Sequence, residues 1–101
     1  MTKPTFPLAD VQAMVRSLGR KAFTSTAITT AQDELDLTVD EMIEFICSRN
    51  DTTCFKTMKS QKVEGVMMDV YCWLCPNKAQ MAYVKVSLAP GSRVVISLKE
   101  W

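Results

Sequence analysis

A chain of 101 residues, 48% hydrophobic and 23% charged, is long enough to bury one core and short enough to be one domain, residues 1–101. A net charge of +1 gives no bulk attraction to a polyanion, and the absence of histidine removes the commonest general acid–base group and metal ligand. No apolar run reaches the length of a membrane span and the opening MTKPTFPLAD holds no signal-peptide core, so a cytoplasmic protein with no membrane partner is expected.

The charge is unevenly spread. Residues 1–50 hold five Lys/Arg against seven Asp/Glu (−2), and residues 51–101 hold seven against four (+3), which together give the +1. The second half is therefore where a polyanion would be met, through a local attraction.

Residues 1–7 read as a tail, with Pro4 and Pro7 blocking regular structure. Leu8, Val11, Val15 and Leu18 lie on one face of a helix from Leu8 to Leu18, with Gly19 as its stop. Thr24 or Ser25 caps a second helix through about Glu34, with Ala27, Ile28, Ala31 and Leu35 inward, although its threonines are poor helix formers. Thr38 with Glu41 forms a capping box for a third helix, and Leu37 with Met42 its hydrophobic staple. Its stripe of Val39, Met42, Ile43, Ile46 and Cys47 ends near Asn50 and reads as core.

The period then changes. Cys54–Ser60 and Val66–Trp73 read as strands joined by a polar turn around Lys62–Gly65, and a loop, Pro76–Ala79, leads into Gln80. From Gln80 to Trp101 two strands alternate cleanly around Pro90-Gly91-Ser92. A two-residue loop would set apolar side chains opposite polar ones. A three-residue loop matches both patterns, sets Tyr83 opposite Lys99 and Lys85 opposite Ser97, and uses Gly91 at positive φ. Ala82, Val84, Val86, Leu88, Val94, Ile96 and Leu98 then face the core, while Tyr83, Lys85, Arg93, Ser97 and Lys99 face outward. That outward face suits an anion or phosphate site, and it equally suits a solvated sheet face, which pattern alone favours. Helices first and strands afterwards predict an α+β fold, with the N-terminal helices packed on one face of a C-terminal four-stranded antiparallel sheet.

Of the four cysteines, Cys72 and Cys75 form a C-x-x-C, with Cys47 and Cys54 remote from it. A zinc site needs a second pair or histidines, and a redox motif should open a helix where Pro76-Asn77 reads as a turn. Buried free thiols are the expectation, with neither metal nor cofactor, leaving Lys, Tyr, Arg and carboxylates for any chemistry.

Several pieces, in this order and spacing, resemble the MqsR family of bacterial type II toxins: Val11-Gln12, Asp33-Glu34-Leu35-Asp36-Leu37, Phe55-Lys56-Thr57-Met58, Asp69-Val70-Tyr71, Tyr83-Val84-Lys85-Val86 and Ser97-Leu98-Lys99-Glu100. The resemblance implies a RelE-like fold and a ribosome-independent mRNA endoribonuclease, or mRNA interferase. It implies a cognate antitoxin that neutralises the toxin and through which alone operator DNA is met. It places the family's catalytic lysines on Lys56 and Lys99 and its tyrosine on Tyr83. The family's glutamine falls on Met68, which has no amide to donate. Lys85 and Arg93 are expected phosphate contacts. A non-catalytic RNA- or antitoxin-binding module of the same fold, or a structural protein docking an acidic partner, is the alternative.

Overall fold

A computed structural model describes residues 2–51, 53–77 and 79–101. Three helices come first: α1 Leu8–Leu18, α2 Ser25–Leu35 and α3 Val39–Cys47, with a 3₁₀ turn Gly19–Ala22 after α1. Four strands follow: β1 Lys56–Lys59, β2 Met67–Cys75, β3 Gln80–Val86 and β4 Val95–Glu100. They form one antiparallel sheet in the order β1-β2-β3-β4. The α+β layout is the expected one. No helix among the described residues is long and apolar enough to cross a membrane.

Local chemistry sets the helix limits. Gly19 closes α1 at φ 58°, a conformation that costs a glycine little. Thr24 caps α2 by accepting from the Ala27 N–H, and Thr38 and Glu41 form the capping box of α3. Phe45, 3% exposed, belongs to the α3 stripe that the sequence reading gave without it. The core joins Val11, Val15, Ala27, Ala31, Leu35, Met42 and Ile46 from the helices to Tyr71, Trp73, Ala82, Val84, Val86 and Leu98 from one sheet face.

Two of the threonines, the N-cap Thr24 and Thr30 within α2, have a tertiary use. Thr24 Oγ1 donates to Ile96 O (2.9 Å), Thr30 Oγ1 donates to Leu98 O (2.7 Å), and Glu34 Oε1 accepts from Glu100 N (3.0 Å). An edge strand presents unpaired carbonyls and N–H groups. Side chains of α2 satisfy those of β4.

Three expectations are corrected. First, β3 and β4 are joined by residues 87–94, not by a three-residue loop. Ala89–Ser92 forms a β-turn in which Ser92 N donates to Ala89 O (3.1 Å), with Pro90 and Gly91 (φ 81°) at the positions a type II turn requires. Second, Tyr83 pairs with Lys99 and Lys85 with Ser97, as expected, but Val86 pairs with Val95. Ile96 is the extra residue of a β-bulge, which reverses the alternation on its turn side. Val95 is consequently buried (0% exposed), where it was expected to face outward, and Ile96 is only half-buried. Third, the amino-terminal segment is not a tail. Thr2 and Cys54 exchange backbone hydrogen bonds (2.9 and 2.8 Å), and the fully buried carboxylate of Asp69 accepts from Thr5 N (2.8 Å) and Phe6 N (2.9 Å). The expected loop 76–79 holds a turn at Pro76–Asn77, while Lys78 lies outside the described residues.

Candidate functional site

The helices cover one face of the sheet, and the strand registers dictate what the other presents. Successive residues alternate between faces. On the uncovered face Lys56 pairs with Val70, Val70 with Lys85 and Lys85 with Ser97, forming one row across all four strands. The next row is Cys72, Tyr83 and Lys99. Lys56, Lys85, Tyr83 and Lys99 therefore share a face. Lys56 and Lys85 are two strand spacings apart, about 10 Å at the backbone. Lys99 Nζ lies 5.1 Å from the Tyr83 ring centroid, close enough for a cation–π attraction.

Lys85 is half-buried at the centre of this group. Burial lowers its amine pKa, and the charges of Lys99, Lys56 and Lys62 lower it further. The other tyrosine, Tyr71, lies on the covered face, 1% exposed, and burial raises its hydroxyl pKa out of any useful range.

Two further side chains meet these residues, and composition gave no sign of them. Trp101 packs on Tyr83 (ring centroids 5.8 Å, 39° between planes) and on Phe55 (4.9 Å, 83°). Both remain about half in water, Phe55 at 47% and Trp101 at 51%. The readable signal was adjacency: Phe55 precedes Lys56, and Trp101 follows Lys99 by two.

The remaining site candidates fall elsewhere. Met68 pairs with Met58 on the uncovered face but is only 5% exposed. Arg93 is not brought to this face. It lies in the connection before the bulge, and its guanidinium donates to Lys21 O at 2.6 Å, beside the start of α2. Cys72 and Cys75 stand in one strand three residues apart, hence on opposite faces: Cys72 next to Tyr83, Cys75 in the core. An intact strand cannot bring both thiols to one metal ion or one disulfide. Among the described residues no group of three or more His, Cys, Asp or Glu is placed to hold a metal ion.

The family described as motility quorum-sensing regulator, toxin of MqsA, matches residues 3–100. The chain belongs to the MqsR toxin family. No curated protein matches it. MqsR membership accounts for the scattered motifs as parts of one pattern and implies an antitoxin partner. Two of those motifs reach opposite edges of the uncovered face, Phe55-Lys56 at one and Ser97 and Lys99 at the other, with Tyr83 and Lys85 between them.

Proposed function

We propose that residues 1–101 form one mRNA interferase domain: a sequence-selective, metal-independent endoribonuclease that cuts mRNA in the cytoplasm, is silenced by its antitoxin and meets operator DNA only through it. The observation carrying this reading is the gathering of Lys56, Lys85, Lys99 and Tyr83 on the one sheet face that no helix covers.

RNA carries its own nucleophile. The reaction removes the 2′-hydroxyl proton, forms the bond from O2′ to phosphorus and expels the 5′-oxygen, which takes up a proton. The products are a 2′,3′-cyclic phosphate and a free 5′-hydroxyl. A general base works best with a pKa near the working pH. Lys85, the amine whose pKa its surroundings lower, takes the 2′-hydroxyl proton. Lys56 and Lys99 stabilise the charge that builds on the non-bridging oxygens, the larger part of such catalysis. Tyr83, held beside Lys99, donates to the leaving 5′-oxygen. The open face is built of cations where a metal site needs carboxylates or imidazoles, which supports the metal-independent route. Met68 offers no amide hydrogen bond, so the cut sequence of a glutamine-bearing relative does not transfer.

The test is purified protein on an end-labelled RNA with and without EDTA. Cutting that survives EDTA, leaves a 2′,3′-cyclic phosphate and fails on a 2′-deoxy substitution at the cut nucleotide supports the mechanism. Cutting lost to EDTA and restored by a divalent ion overturns it. Binding without cutting would make the protein a non-catalytic module.

A further inference from the structure

Phe55 and Trp101 are anchored by backbone bonds rather than by burial. Phe55 N donates to Val70 O at 2.7 Å and Trp101 N donates to Met81 O at 2.9 Å. They flank strands β1 and β4, the two opposite edges of the sheet, three strand spacings or about 14 Å apart. Their rings nevertheless meet, at a centroid separation of 4.9 Å. The two side chains therefore reach toward each other over the uncovered face and close into one aromatic bridge with Tyr83 beneath Trp101. A merely structural aromatic cluster would be buried. In this one Phe55 and Trp101 stay about half exposed, at 47% and 51%, one residue from Lys56 and two from Lys99 along the chain.

Exposed aromatic rings next to clustered cations match the two halves of a nucleotide, a flat base and a charged phosphate. A polyanion that the lysines attract also carries bases that the rings can hold. Proteins that read single-stranded RNA stack its splayed bases on such rings. We infer that Phe55 and Trp101 form a stacking platform for an unpaired base of the RNA, adjoining the phosphate held by Lys56 and Lys99. The inference rests on the RNA-cleaving reading above and adds a base contact to it. The platform holds the substrate and takes no part in proton transfer.

Two base-bearing and base-free probes separate the contributions: a fully 2′-O-methylated single-stranded RNA, which has no 2′-hydroxyl to react, and inorganic polyphosphate. Trp101→Ala and Phe55→Ala are each expected to weaken binding of the methylated RNA about tenfold, the low end of what one stacked base contributes. Binding of polyphosphate should be unchanged, and Trp101→Phe should recover most of the RNA affinity. Collisional quenching of fluorescence by acrylamide gives a second readout. Trp73 is buried at 2% exposure, so quenching reports on Trp101, and the methylated RNA but not polyphosphate should shield it. Alanine variants that bind the methylated RNA as tightly as the wild type overturn the platform and leave the enzyme reading standing. Equal losses for RNA and polyphosphate overturn it too, since the rings would then only shape the cationic face. A wild type that binds neither probe at low salt overturns both readings.

Discussion

At the scale of single residues, the uncovered face concentrates like charges that a folded protein would otherwise keep apart. Lys85, half-buried among them, is held below its ordinary pKa first by burial and then by the charges of Lys99, Lys56 and Lys62. The unfolded chain releases the Lys85 proton near the ordinary 10.5, and the folded chain releases it at lower pH. In that interval the unfolded state binds more protons, so stability rises with pH and the charged amine penalises the fold below it. Lys85→Met should therefore abolish cutting yet raise the melting temperature at neutral pH, with the gain shrinking as pH climbs toward 10.5. A melting temperature that falls at pH 7 would show that Lys85 supports the fold instead. Tyr83→Phe and Lys99→Ala should each slow single-turnover cutting by about 100-fold or more with unchanged melting, the first as loss of a positioned acid and the second as loss of a charge-stabilising group. Met68 sits two positions from Val70 along β2 but is nearly buried, so Met68→Gln should change the rate or cut pattern only if the amide can turn outward. Identical rates and cut maps would remove position 68 from the substrate path.

At the scale of elements, the pieces with a local cause were legible and those with a distant cause were not. The capping box at Thr38 and Glu41 and the glycine stop at Gly19 are written in neighbouring residues, and the structure has both. The Tyr83–Lys99 pairing followed from alternation alone and holds. The bulge at Ile96 did not, because its cause lies about seventy residues away: the extra residue lets β4 offer the Val95 and Ile96 carbonyls to Thr24. Within α2, Thr30 makes a second bond of this kind, to Leu98 O. Arg93 was misplaced on the outer face for this reason, since alternation carried through a bulge assigns the wrong side. Alternation puts Lys85 and Lys99 on the outer face and the resemblance adds Lys56, but the central place of Lys85 needs the row through β2, whose pattern is too irregular to assign faces. Thr24→Ala removes both the helix cap and the Ile96 bond, and should cost about 2 kcal/mol in chemical denaturation, while Thr24→Ser should stay within about 0.5 kcal/mol. Equal stability of both variants would mean that the edge of β4 finds its partners in water.

At the scale of the whole molecule, the sheet separates the main core, on its helix-covered side, from the lysine-bearing face on the other. On the proposed reading, attraction to RNA is local and made by few charges. With Lys56 and Lys99 as the proposed phosphate contacts, affinity for single-stranded RNA should fall with salt at a log–log slope of about −1.4. A slope near zero would deny the lysines that role, and a much steeper one would bring Arg20, Lys21 and Arg93 into the footprint. The fully buried Asp69, holding Thr5 and Phe6, ties the amino-terminal segment across the same fold, and Asp69→Ala should cost on the order of 2 kcal/mol by leaving two N–H donors unpaired. The two outer strands end differently. Side chains of α2 shield the rim of β4, whereas β1 stands at the opposite rim of the sheet order and no described strand lies beyond it. That strand is only Lys-Thr-Met-Lys, short and charged at both ends. Short, lysine-bearing rims resist growing into stacked fibrils, because each added copy would align like charges. Lys56 is thus expected to protect the protein from its own kind, besides the role proposed for it on RNA, and the doubly neutral Lys56→Val, Lys59→Val protein should scatter light at concentrations where the wild type stays clear.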